Sequence, residues 1–103
     1  MKKIIDKKLY NTETATLIAS WKSKQSVQDL TYTEETLYVT KKGNFFLHGK
    51  SNAGGAYSEK SYGGYSAGED IVPVTREQAI RWMENYSTPD LFIEKFPNDF
   101  EEA

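Results

Sequence analysis

Cysteine is missing from this chain, and histidine occurs once. A thiolate nucleophile, a disulfide scaffold and a zinc ribbon all need cysteine, so each is excluded. A triad or metal site built on histidine needs partners that a lone His48 lacks; as a strand residue beside Phe46 it reads as structural. No metal and no cofactor are expected. Long apolar runs are missing too. Nothing approaches the roughly 20 consecutive apolar residues of a membrane-spanning helix, so no membrane partner is expected. The opening M-K-K-I-I-D-K-K-L-Y is basic but has no apolar core, which argues against a signal peptide. With the lack of cysteine, this predicts a cytoplasmic setting. Arginine occurs only at 76 and 81, so a nucleic-acid surface would have to rely on lysine.

What is present describes one small globular domain, residues 1–103. Its composition, 38% hydrophobic and 27% charged, can fill one modest core. Charge is unevenly spread. Residues 1–50 hold nine basic and five acidic side chains, and residues 51–103 hold four and ten. Such asymmetry either marks a partner surface or cancels when the two halves fold together.

Ile4-Ile5 and Leu9-Tyr10 flank Asp6-Lys7-Lys8, which suggests two short strands and a tight turn. Asn11 to Thr14 are cap-type residues suited to a helical turn. The segment T-A-T-L-I-A-S-W fits a strand through Leu17, Ala19 and Trp21, and a helix face through Leu17, Ile18 and Trp21. Its threonines favour a strand over 16–22. Alternation resumes at Leu30-Thr31-Tyr32 in the opposite phase to Leu37 and Val39, so a bulge or bend is expected at 33–35. A β-hairpin over 35–49, turning at Lys41-Lys42-Gly43, pairs Val39 with Phe45 and Leu37 with Leu47. Those four form a core face. The reverse face carries Thr36, Tyr38, Phe46 and His48, and either the C-terminal helix covers its aromatic pair or the pair is exposed; helix cover is expected.

Residues 50–70 contain no Val, Ile, Leu, Met, Phe or Trp, but hold five of the seven glycines and Tyr57, Tyr62 and Tyr65. This predicts a long flexible loop, a length that in compact domains is usually functional or disordered. Ile71–Val74 reads as a short edge strand, because Pro73 cannot donate to a ladder. Thr75 with Gln78 makes a capping box for a helix carrying Ala79, Trp82, Met83 and Tyr86 on one stripe, with Glu77 four before Arg81. Thr88-Pro89 opens a short second helix with Leu91, Phe92, Lys95 and Phe96. Residues 98–103 should fray as an acidic tail. The expected fold is α+β: a small, mostly antiparallel sheet around a central hairpin, with one long and one short C-terminal helix packed on it.

No constellation for catalysis stands out. Gly49-Lys50-Ser51 copies the end of a phosphate-binding loop, but Asn44 occupies the place of its first glycine and no helix follows. Gly63-Gly64-Tyr65-Ser66-Ala67-Gly68 lacks the dinucleotide spacing and its βαβ context. The acidic pairs Glu34/Glu35 and Glu69/Asp70 are adjacent rather than facing. What remains is recognition. Tyr57, Tyr62 and Tyr65 are candidate anchors, and Glu59, Glu69 and Asp70 candidate partners for basic residues. In the alternative, Lys41, Lys42 and Lys50 hold single-stranded nucleic acid while the loop tyrosines stack on bases.

K-L-Y-N-T-E-T-A at 8–15, E-E-T-L-Y at 34–38, G-N-F-F-L-H-G at 43–49 and Y-S-A-G-E-D-I-V-P-V-T at 65–75, followed by Ala79 and Trp82, resemble a family of small Firmicutes proteins carried by phages, plasmids and integrative elements. The resemblance spans roughly residues 3–86; the segment from Leu91 to Phe96 departs from it as an added helix. Proteins of this look include candidates for anti-CRISPR inhibitors of type II effector nucleases. The resemblance implies a non-enzymatic accessory protein that binds a host protein or ribonucleoprotein, such as a CRISPR effector nuclease or its guide complex. It carries over no functional motif at the level of residues.

Overall fold

A computed structural model describes residues 1–103. Its strands are β1 (Lys2–Ile5), β2 (Lys8–Asn11), β3 (Thr16–Lys22), β4 (Thr33–Val39), β5 (Phe45–Ser51), β6 (Glu59–Ser61), β7 (Gly64–Ser66) and β8 (Gly68–Val74). Two helices follow, α1 (Arg76–Tyr86) and α2 (Pro89–Lys95). The main sheet is antiparallel in the order β3-β4-β5-β8, while β1-β2 and β6-β7 form separate two-stranded ribbons. The fold is α+β, as expected.

The central hairpin has the predicted register, with Val39 opposite Phe45 and Leu37 opposite Leu47. Gly43 closes its turn at φ +87°, where its amide donates to the Thr40 carbonyl. Because side chains alternate across a strand, that register settles both faces. On one, Leu37 is fully buried with Ala79, Trp82, Met83 and Phe96 of the helical layer, and Val39, Phe45 and Leu47 pack around them. On the other, Phe46 is fully buried with Tyr10 and Ile71.

The expected cover for Tyr38 and Phe46 is therefore corrected: the N-terminal ribbon supplies it, not a helix. Tyr38 stacks on Phe46 with ring centroids 5.1 Å apart, and Tyr10 meets Phe46 edge-on at 5.5 Å. The molecule thus has three layers, helices, sheet and ribbon.

The bulge lies in a different place from the one expected. β4 pairs without interruption from Thr33 to Val39, and Leu30-Thr31-Tyr32 belongs to a turn closed by the Tyr32 amide on the Asp29 carbonyl. The irregularity is in β3, between Leu17 and Ala19. It turns Ile18 and Ala19 both inward, at 7% and 3% exposure, and leaves Leu17 outside. That explains why the segment fits two periodicities at once.

Residues 50–70 are not one long loop. β5 runs on to Ser51, two turns follow, the β6-β7 ribbon projects, and β8 begins at Gly68. The edge strand is thus three residues longer at its start than its apolar part. Both helix caps match expectation: Thr75 and Gln78 close the capping box, and the Thr88 hydroxyl accepts from the Leu91 amide with Pro89 in the first turn. Glu77 and Arg81 form no ion pair. Instead Arg76 binds Asp99 at 2.5 Å and Phe100 packs edge-on against Phe92, so the start of the acidic tail is tied down.

Candidate functional site

The six loop residues proposed as partner contacts fall into three environments. Tyr57 folds inward. Its hydroxyl donates to Glu35 Oε2 at 2.5 Å, and Trp82 Nε1 donates to Oε1 of the same carboxylate at 3.0 Å. The ring lies over Gly49, where any Cβ would overlap it. Burial, and then the Glu35 carboxylate, push the Tyr57 phenol well above its ordinary pKa. Tyr57 is therefore a structural bridge within the chain, which corrects its reading as a partner anchor.

Glu69 and Asp70 are engaged within the chain. Glu69 Oε2 lies 2.8 Å from His48 Nε2, and the hydrogen bond from His48 is the main cause that lowers the carboxyl's pKa. Asp70 is likewise held low, chiefly by the Lys3 ammonium at 2.6 Å. The Lys3–Asp70 pair fastens the N-terminal ribbon to the sheet's open edge. Neither acid is a free carboxylate awaiting a partner.

Glu59, Tyr62 and Tyr65 remain exposed. They sit on the β6-β7 ribbon, where Ser61 opposite Gly64 leaves Tyr62-Gly63 as a two-residue tip. Gly63 takes φ +83°, a value suited to glycine. Every residue of β6 and β7 is exposed, Tyr62 completely and Tyr65 at 62%. No other strand pairs with this ribbon.

At its base an open cleft of ≈ 610 Å³ is lined by Val27, Tyr32, Glu34, Lys50, Glu59 and Glu69 among others. Glu34 and Glu59 share this wall with Lys50, and Glu69 is already bonded to His48, so one surplus negative charge is left for a cationic side chain from outside. Val27 and Leu30, on the β3–β4 loop beside it, are 63% and 65% exposed. The carbonyls of Val27 and Asp29 accept from Asn52 Nδ2 at 2.9 and 2.7 Å, which holds this loop against the turn after β5. Sequence reading missed Glu34 and Val27 because nothing local says which loops meet.

The lysines proposed for nucleic acid do not form one patch. Lys41 and Lys42 occupy the turn before β5, and Lys50 lies near that strand's far end, between Glu34 and Glu69 in the pairing register. Gly49-Lys50-Ser51 is extended strand with no helix after it, so it makes no phosphate loop. Three or more His, Asp or Glu side chains converge nowhere as a metal cage, and no helix is long and apolar enough to cross a membrane.

No protein-family model, curated protein or solved structure matches this chain.

Proposed function

We propose that this chain is a non-enzymatic accessory protein of a mobile element that binds and inhibits a host defence complex. The target class is a type II CRISPR effector nuclease or its guide complex. The observation that carries a binding role is the β6-β7 ribbon, a self-paired projection with Tyr62 and Tyr65 exposed above an acidic cleft. Exposed tyrosines on a two-residue hairpin turn supply large contact area, a common make-up of binding hot spots. Glu59 and Glu34 at the base would receive an Arg or Lys of the partner. The nuclease as target, and the cytoplasm of the bacterial host as location, rest on the resemblance of residues 3–86 to the mobile-element family.

A pull-down of purified effector nuclease, with and without guide RNA, by the tagged full chain tests this reading. The wild type should capture the complex. Tyr62→Ala with Tyr65→Ala should weaken capture by at least about 30-fold, the equivalent of about 2 kcal/mol, while the urea midpoint stays in place. Absent capture would reject the target, and unchanged capture by the double variant would reject the ribbon as contact.

A further inference from the structure

The opposite end of the sheet carries a second charged cleft. It opens between the β1–β2 turn and the β4–β5 turn, has a volume of ≈ 350 Å³, and is lined by Lys7, Lys8, Asn11, Lys41, Lys42 and Asn44 among others, with no acidic residue in its wall. None of these four lysines forms an ion pair; the lysine bridges of the chain are Lys3–Asp70 and Lys95–Glu94. Two hairpins far apart in sequence thus bring four uncompensated ammonium groups to one concavity, in a protein of net charge −2. Like charges gathered without counter-charges repel, so the arrangement suits an external polyanion.

We infer that this cleft grips successive phosphates of a nucleic-acid strand, without reading its sequence. Lysine is a point-charge donor suited to phosphate oxygens, and the amides of Asn11 and Asn44 add neutral donors. Tyr10, the aromatic in the wall, is 6% exposed and packed on Phe46, so no ring is free to stack on a base. A concave wall matches one strand entering it better than a flat membrane surface. The inference does not rest on the ribbon as a protein contact, which lies at the other end of β5.

Fluorescence anisotropy of a labelled 20-nucleotide strand, titrated with the full chain from 20 to 200 mM NaCl, tests it. If all four lysines contact phosphates, the logarithm of affinity should fall with that of salt at a slope of about −3. Strands of different sequence should bind within about threefold. Lys41→Gln with Lys42→Gln, and separately Lys7→Gly with Lys8→Gln, should each cost at least tenfold at 50 mM NaCl and roughly halve the slope. Lys22→Gln with Lys24→Gln removes equal charge at the far end of β3 and should change nothing. No binding at 20 mM NaCl, or equal losses in the Lys22/Lys24 variant, would overturn the inference. So would polyglutamate or phosphatidylserine vesicles displacing the labelled strand better than an unlabelled strand at equal charge concentration, since the preferred ligand would then be another polyanion.

Discussion

Glu35 shows how much one residue can organise. Both of its carboxylate oxygens accept hydrogen bonds, one from the Tyr57 hydroxyl and one from the Trp82 indole, so a strand, the turn after β5 and α1 converge on a single charge. Hydrogen bonds to a charged acceptor are stronger than neutral ones. Tyr57→Phe should therefore lower stability by about 1 to 2 kcal/mol in urea unfolding. Gly49→Ala should cost about 1 to 3 kcal/mol, because its methyl group needs the space of the Tyr57 ring. In a Tyr57→Ala background that penalty should nearly vanish; full additivity of the two changes would show that the clash is not the cause. Tyr57 was legible in the sequence as an aromatic of unusual setting. Its direction was not, because a tyrosine in a Gly-rich stretch looks the same whether a partner or Gly49 receives it.

Among the elements, the N-terminal ribbon carries an instructive conflict. Asp6 and Lys7 turn it at φ 51° and 66°, both in the left-handed region. Two-residue hairpin turns with both residues at positive φ favour Asn-Gly or Asp-Gly, and a lysine there costs about 1 kcal/mol. Lys7→Gly creates the Asp-Gly turn and should raise stability by about 0.5 to 1 kcal/mol, measured as a higher urea midpoint. If the basic cleft works as inferred, the same change weakens nucleic-acid binding, so stability and binding should move in opposite directions. A destabilised Lys7→Gly variant would argue that the turn is not strained. The doublets Lys7-Lys8 and Lys41-Lys42 were each visible as lysines at a hairpin turn. Their meeting needed the ribbon to lie across the sheet, which follows from Tyr10 and Ile5 seeking the apolar surface of Phe46 and Ile71.

For the molecule as a whole, pH divides the stabilising contacts into two groups. Asp70 and Glu69 have folded pKa values below their ordinary ones, so their contribution is complete above about pH 5 and is lost as pH falls through the lowered values. Both acids are about half exposed, so solvent screens the effect and the acid loss should be small. Tyr57 has the opposite sign. Its folded pKa is raised, so its stabilisation is complete below the ordinary tyrosine value of about 10 and is lost as pH rises beyond that. Urea midpoints should be flat from about pH 5 to 9, dip slightly below pH 4 and fall above pH 10, with Tyr57→Phe flattening the alkaline limb. An alkaline limb unchanged in that variant would assign it to other groups.

The two proposed contacts lie at opposite ends of β5, in a molecule of 50 × 34 × 20 Å. The aromatic ribbon and its acidic cleft lie beyond Ser51, and the basic cleft lies before Phe45. The uneven charge of the two sequence halves is therefore only partly cancelled by folding. Lys3–Asp70 and the cross-strand neighbours of Lys50 compensate locally, whereas the lysines of the two turns do not.

By itself the sequence determined the local elements: the central register, the capping box, the proline-led second helix and the edge strand. Each follows from alternation, caps or backbone limits acting over a few residues. Only the tertiary structure decided which layer covers Phe46, that Tyr57 turns inward while Tyr62 and Tyr65 stay out, and that Lys7 and Lys8 join Lys41 and Lys42. Those outcomes depend on contacts between residues dozens of positions apart, where apolar burial and close packing choose among arrangements that local chemistry leaves equal.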